Sequence, residues 1–504
     1  MLKIFIQLLY YIRRVKKYEF VQHDEKIITE ETQKIWINSV KTNPVSLFVE
    51  LFFANYYAMR GHQVILTVDD GMLAHHDTFQ YVQKRKILNP SRAISIKAFL
   101  YILQFLINNI FTNIQIIRIS SLLGNAKKKY QNDFLESDWE DEINASTDRY
   151  FQLFPPSPKV LNEYKEKSAL NCNISYVIAK YIYHDMGFKR LLTSHAIYSL
   201  WSPAYKVYKS AGDTRILVYG TNTYKSGELS FSNTPLQVQS ATKEFQQFLN
   251  RPVSNEEKIT KYFDQRIDMK AKDTAVYYNY ELRQFSVNHE YFNILVCPNV
   301  AWDGNINERN ICFDGLIDWI NWYVKYAKRN VNCKLYIRFH PGEFAWYKDC
   351  ISLEQALHHL NVSLDHDRIE VISSSQPFDM YGTVREFDAV VVYDGILALE
   401  STYMGVPLIL NASGRYAASG LGHMPRSKEE LESILDKAIN KTEPLKVGKR
   451  SVAIAVCDYY MNYTSANLSI INNDRSDYGV NLSKIKMIDF ENNKPLSKWL
   501  DRLI

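Results

Sequence analysis

The chain has no cysteines spaced to hold zinc. Its six (Cys172, Cys297, Cys312, Cys333, Cys350 and Cys457) are scattered and form no CxxC pair, so free thiols in a reducing compartment are expected. Also missing is the run of about eighteen uninterrupted apolar residues that a membrane-spanning helix needs. The most apolar stretch, residues 94–123 with AFLYILQFLINNIF, is broken by Lys97, Gln104, Asn108 and Asn109. It reads as a buried or amphipathic helix pair, with a face for a lipid-linked substrate as the sharper alternative. Charge of one sign is not in great excess: +5 over 504 residues argues neither for nor against nucleic acid, and no zinc-finger or RNP-type pattern is present, so nucleic acid is not an expected partner. No repeat of solenoid length is visible.

The opening stretch is not expected to be a secretory signal. The opening MLKIFIQLLYYI, followed by Arg13, Arg14, Lys16 and Lys17, runs apolar then basic, without the charge-first order or small-residue cleavage site of such a signal. Residues 1–17 read as a first helix packed on its domain, or as a peripheral contact with an anionic membrane surface. The expected location is the cytoplasm, with the inner face of the plasma membrane as an extension.

What is there describes a folded α/β protein. With 46% hydrophobic and 23% charged residues over 504 positions, the chain is globular and too long for one compact core. PVSLFVELFFANYYAM from Pro44 reads as a buried helix stopped by Arg60-Gly61, and HQVILTV from His62 as a buried strand ending at Asp69-Asp70-Gly71, with His75 and His76 in the same loop. After a polar excursion with the acidic run from Asp133 to Glu142, a second helix–strand unit spans Tyr176 to Leu192 and leads to Thr193-Ser194-His195.

From Phe292 the alternation is regular. Strands are expected at 292–298, 334–339, 369–372, 389–393 and 407–411, and helices at 312–327, 378–386 and 397–404. Such alternation, with no hairpin signal between, predicts a parallel sheet covered on both faces. The expected divisions are an N-terminal domain over 1–288 with helical insertions, a C-terminal domain over 289–450, and a segment, 451–504, that is helical or irregular and packs back on the first domain.

Open parallel sheets bind ligands at the carboxyl ends of their strands, and there this sequence places its ionisable residues. The run LYIRFHPGE ends a strand at His340-Pro341-Gly342-Glu343. Other ends carry Asn299 with Trp302-Asp303, Ser373-Ser374-Ser375, and Asp394-Gly395 leading to Glu400 and Ser401. The plain alternative for His340 and Pro341 is a helix cap with proline in its first turn. For His195 it is a structural histidine, and for Glu400 an exposed helical glutamate.

Residues 292–425 resemble the second domain of GT-B glycosyltransferases of the bacterial capsule and surface-polysaccharide group. The resemblance rests on Asn299-Val-Ala-Trp302-Asp303, Phe313 with Asp318-Trp319, Ile337-Arg-Phe-His340-Pro-Gly-Glu343, Glu400 with Gly405-Val-Pro407, and Arg415-Tyr416. The stretch from Gly61 to Gly71 resembles the first-domain motif of that group, and an Asp-Asp-Gly paired with a distant His-Pro is similar to sialyltransferases and Kdo transferases, which use CMP-sugars. One departure is Tyr393-Asp394-Gly395-Ile396, where the family has a Ser/Thr-rich turn; an aspartate there would repel a phosphate.

The resemblance implies two Rossmann-like domains facing across a cleft, a nucleotide-sugar donor and a glycan or lipid-linked glycan acceptor. Asp69 or Asp70 would be the base, or the nucleophile if configuration is retained, with His75, His76 and His195 in reserve and Gly71 beside them on the acceptor side. His340 would stabilise the leaving phosphate. Donor contacts would come from Asn299, Trp302, Arg338, Pro341, Glu343, Ser373, Ser374, Ser375, Gly395, Glu400, Ser401 and Arg415. Neither a cofactor nor a metal is expected, the Asp69-Asp70 pair having no companion ligands. Alternatives are a nucleotide-sugar epimerase of the same fold and a catalytically silent glycan-binding or assembly subunit.

Overall fold

A computed structural model describes residues 31–40, 44–73, 113–151, 157–222, 224, 228–268, 286–300, 309–346, 351–467 and 493–504. Residues 1–17, His75, His76, Trp302 and Cys350 lie outside them. The chain forms two compact units: residues 1–150, 155–236 and 460–504 make one, and 151–154 with 237–459 the other.

Unit 1 is built on β1 (Lys34–Ser39), β2 (Gln63–Val68), β3 (Ile114–Arg118), β4 (Arg190–Ser194), β5 (Arg215–Thr221) and β6 (Glu228–Ser232), closed by the late strand β12 (Ser465–Asn467). Their order is β12-β6-β5-β4-β1-β2-β3. β3, β2, β1, β4 and β5 are mutually parallel, whereas β6 joins β5, and β12 joins β6, antiparallel. β1 and β2 each show one exposed residue followed by five buried ones, as expected of strands covered on both faces. The Pro44–Ala58 helix supplies much of that cover, with Phe53 and Tyr57 packed beside Leu66, Phe231 and Trp499.

Unit 2 contains β7 (Phe292–Cys297), β8 (Cys333–Arg338), β9 (Ile369–Ile372), β10 (Ala389–Val392) and β11 (Leu408–Leu410). They are ordered β11-β10-β7-β8-β9 and parallel throughout. The Leu316–Arg329 helix lays Trp319, Tyr323 and Tyr326 on one face of this sheet, in a core with Leu335, Val391 and Ile409. Both units therefore carry the doubly wound order 3-2-1-4-5, with the direction of winding reversing between β1 and β4 in unit 1 and between β7 and β10 in unit 2. The α/β class with two Rossmann-like sheets is the expected one.

The structure differs from the sequence reading in four places. Residues 114–118, inside the stretch expected to be a helix pair, are strand β3. The Ile119–Tyr130 helix begins only after it. The acidic run is not a purely solvated excursion: Trp139 is buried, and Glu142 accepts from Ser202 at 2.7 Å and meets Lys206 at 2.6 Å. An antiparallel edge, β5-β6-β12, joins the parallel sheet of unit 1. Finally, the helices Lys243–Leu249 and Glu256–Asp268 belong with unit 2 rather than the first half, because Phe263 stacks on Tyr403 and Arg266 reaches Glu400.

Candidate active-site edges

In unit 1 the carboxyl ends of β2, β1 and β4 carry the polar residues. Asp69 and Asp70 follow β2 directly, and both are buried. The Asp69 Oδ1 accepts from the backbone N–H groups of Gly71, Met72 and Leu73 at 3.1, 2.8 and 3.1 Å, folding the loop back on its own carboxylate. Gly71 has φ +104° there, a conformation that favours glycine. Asp70 caps the next helix instead: Ser120 donates its N–H to Oδ1 at 3.1 Å and its hydroxyl to Oδ2 at 2.5 Å, and Arg118 lies 3.5 Å from Oδ2. A carboxylate beside the first N–H groups of a helix is stabilised by them and by the dipole.

His195 follows β4, half-buried. Its Nδ1 lies 2.5 Å from the Ser194 hydroxyl, and its ring stacks on Trp201 with centroids 5.3 Å apart. Ser39, at the end of β1, donates its hydroxyl to Glu50, and so does Tyr219 of β5. Sequence reasoning missed Glu50. It sits in the largely apolar stretch FVELFFANYYA, where a single carboxylate at 1% exposure must be hydrogen-bonded, and that isolation is the available signal.

In unit 2 His340 ends the β8 segment and its Nδ1 accepts the Gly342 N–H at 2.9 Å. An imidazole nitrogen that accepts a hydrogen bond holds no proton, so neutral His340 carries its proton on Nε2. Pro341 opens the short Pro341–Trp346 helix, so the plain capping role is filled as well. Glu343 in that helix is 4% exposed. Burial pushes its carboxyl up to about 7; Leu353 donates its N–H to Oε2 at 3.2 Å, while Oε1 is buried with no partner. Arg338 is buried and spends its guanidinium on the main chain, donating to the carbonyls of Phe339 at 2.9 Å and Ser373 at 2.6 Å. It thereby ties the ends of β8 and β9 and orders the loop holding Ser373, Ser374 and Ser375, of which Ser374 is buried and Ser375 exposed.

At the switch point, Asn299 has a buried side-chain oxygen without a partner. Asp394, the departure from the family pattern, is paired: Arg309 donates to its Oδ2 at 2.7 Å, both side chains are nearly buried, and the carboxylate fills the space that a Cβ at Gly414 would need. The negative charge expected to repel a phosphate is neutralised by that guanidinium. Gly395 has room for a Cβ, meeting only Val392 at 3.7 Å. Glu400 is buried, not an exposed helical glutamate, and its Oε1 accepts from Arg266 at 2.7 Å and Tyr381 at 2.9 Å. Although burial opposes the Arg266 charge, Glu400 holds its pKa above the ordinary value. Ser401 is fully buried with its hydroxyl unpaired, and Arg415 is half-buried.

Within unit 2, then, the ends of β7, β8, β9 and β10 gather Asn299, His340, Ser373–Ser375 and Asp394 along one edge, as the sequence predicts, and the Leu397–Tyr403 helix carries Glu400 and Ser401. Among the described residues no cluster of three or more metal-ligating side chains occurs.

No protein-family model and no curated protein matches the chain. Solved structures similar to it include the Thermosulfurimonas dismutans KpsC beta Kdo 2,7 transferase, at 12% identity over 59% of this chain and 84% of that one, TM-score 0.37. A putative UDP-N-acetylglucosamine 2-epimerase from Listeria monocytogenes matches at 12% identity over 84% and 94%, TM-score 0.25. The calicheamicin glycosyltransferase CalG4 matches at 10% over 86% and 94%, TM-score 0.23. Likeness at that level does not carry an activity from those proteins to this chain.

Proposed function

We propose that the protein is a glycosyltransferase that moves a sugar from a nucleotide-sugar donor to a glycan or lipid-linked glycan acceptor of the cell surface. The observation that supports it most is the edge of unit 2. A histidine whose only proton, when neutral, sits on Nε2 stands at the carboxyl end of a strand in a doubly wound sheet, where phosphate-bearing ligands bind.

In this reading His340 donates from Nε2 to the leaving phosphate as negative charge develops on it. Ser373 to Ser375 and Asn299 line the donor seat. Glu400, with Oε1 committed to Arg266 and Tyr381, takes ribose hydroxyls with Oε2. The acceptor's proton goes to a group on the edge of unit 1, where Asp69, Asp70 and His195 stand. The Arg309 pairing of Asp394 leaves no uncompensated negative charge there to repel the donor phosphate.

The test is a screen of CMP-, UDP-, GDP- and CDP-linked sugars for nucleotide release with membrane-lipid acceptors. His340→Ala, Asp69→Asn and Asp70→Asn are run beside the wild type. Acceptor-dependent release, reduced about 100-fold or more in His340→Ala with donor binding retained, is the expected result. Sugar turnover without acceptor would instead mark an epimerase, and unchanged rates in all three variants would reject the scheme.

A further inference from the structure

Asp69 and Asp70 are both bound up by their own neighbours, one by three loop amides and the other by a helix cap. The edge of unit 1 holds a third ionisable group, His195, in a different setting. From the core outward, Glu50 accepts from Ser39 and from the Tyr219 hydroxyl, Tyr219 is hydrogen-bonded in turn to Ser194, and Ser194 touches the His195 Nδ1. Glu50, Ser39 and Ser194 are essentially without exposure, and Tyr219 is 5% exposed.

With Glu50 ionised, proton counting gives this chain one direction. An ionised Glu50 can only accept, so Tyr219 gives it its single hydroxyl proton. The Tyr219 oxygen can then only accept from Ser194, whose one proton is thereby used. Ser194 must accept from His195, so Nδ1 bears the ring proton and Nε2 the lone pair. This is the opposite tautomer to that of His340, and it is the form a base needs.

The backbone at this point is held in an uncommon conformation. His195, Ala196 and Tyr198 have φ of +56°, +59° and +67° with no glycine among them. Strain of this kind persists where the surroundings over-determine it, and it concentrates at functional sites. Trp201 stacked on the imidazole and the His195 N–H donated to the Tyr219 carbonyl at 3.1 Å hold the ring in place. The location, after β4 at the switch point of unit 1, is where a doubly wound sheet binds its ligand.

We infer that His195 is the base of the transfer, with Ser194, Tyr219 and Glu50 as positioning residues that fix its tautomer. The inference rests on the glycosyltransferase reading and adds to it the residue that takes the proton. The acceptor hydroxyl gives its proton to the His195 Nε2 as its oxygen bonds to the anomeric carbon. The bond from that carbon to the phosphate oxygen breaks, its electron pair leaving with the nucleotide. The resulting imidazolium keeps its Nδ1 proton directed down the relay toward the Glu50 carboxylate, and loses the Nε2 proton to water.

Two measurements on the full chain test this separately. Imidazole nitrogen NMR of protein labelled at histidine, with His195 assigned by its loss in His195→Gln, reads the tautomer with no substrate present. The expected result is Nδ1–H in the wild type and a mixed or inverted tautomer in Tyr219→Phe and in Ser194→Ala, two variants that keep the local volume. An Nε2–H tautomer in the wild type, or no change in either variant, would overturn the relay. In the transfer assay, His195→Gln should lower kcat by about 100-fold or more with the donor KM kept, and added imidazole should restore part of the rate to His195→Ala. Full activity of His195→Gln beside loss in Asp69→Asn would overturn the base assignment. A wild type that releases no nucleotide from any of the four donor classes would instead overturn the transfer reading, and the base assignment with it, whatever the tautomer.

Discussion

Glu343 shows what a single buried group can report. Its carboxyl, ordinarily near 4.5, is raised to about 7 chiefly by burial. The folded protein therefore binds this proton more tightly than the unfolded chain. Below pH 4.5 both states are protonated and the contribution is fully present; as pH rises through 7 it is lost, at a cost of about 3 kcal/mol. Glu343→Gln is neutral throughout and its Oε1 can still accept the Leu353 N–H. Urea unfolding of wild type and variant from pH 4 to pH 8 should give curves that converge at the acid end, with the variant more stable by roughly 2–3 kcal/mol at pH 8. A constant offset across that range would mean that Glu343 is ionised and solvated. The same residue illustrates the reach of sequence: HPGE announced a carboxylate near a strand end, but not that the chain around Leu353 would cover it.

Arg309 and Asp394 make a second argument at this scale. The pair is nearly buried, so removing one member leaves an uncompensated charge. Arg309→Met is expected to destabilise by about 3–5 kcal/mol, and adding Asp394→Asn should recover much of that loss. A double-mutant cycle on urea midpoints measures the coupling, and additive effects would show the pair to be solvated. Asp394 was legible as a departure from a family pattern; its partner, 85 positions earlier, was not. Arg266 with Glu400, at a separation of 134, was hidden for the same reason. Local pattern predicts which positions are buried, but a charge pair between distant segments is set by how the elements pack.

At the scale of elements, the strands that were easy to read are the ones covered on both faces. AVVV and FNILVC are apolar runs between turn residues, and each appears within a residue or two of its expected bounds. β1 is central yet gives no clear strand signal: KIWINS carries Lys34 at its exposed start and Asn38 and Ser39 in the core, where Thr193 and Glu50 are their partners and Thr67 takes the Trp36 N–H. β6 and β12 pair antiparallel at an edge, Ser230 opposite Ser465, a separation beyond any local signal. The Ile119–Tyr130 helix offers a test at this scale. Arg118, at its N-cap position, makes no side-chain cap hydrogen bond, and Asp70 supplies the cap from the loop after β2. Asp70→Ala should cost about 1–2 kcal/mol, and Asp70→Asn, which keeps an oxygen for the Ser120 N–H, distinctly less. If Asp70→Asn abolishes transfer while retaining that stability, the carboxylate has a chemical role beyond the cap.

The whole molecule is threaded so that unit 1 is finished by the last part of the chain. After unit 2 the chain returns at residue 460, pairs β12 with β6, and lays the Lys494–Leu500 helix on the core. Leu496, Trp499, Leu500 and Leu503 are 0–1% exposed, with Trp499 stacked near Phe231. Tyr57 donates its hydroxyl to the Leu500 carbonyl at 3.0 Å. At about 1.5–3 kcal/mol for each buried side chain, the four together amount to roughly 6–12 kcal/mol, comparable with the entire stability of a domain. Deleting residues 493–504 should therefore unfold unit 1 while leaving the described core of unit 2, which contains none of these side chains, in place. Calorimetry on the full chain and the truncated chain should show one transition lost and one kept near its original temperature, and a synthetic peptide of residues 493–504 should recover part of the lost transition. Were both transitions to survive truncation unchanged, the C-terminal helix would be a surface accessory, and the edge bearing Asp69, Asp70 and His195 would owe its stability to the β1–β5 sheet and the Pro44–Ala58 helix alone.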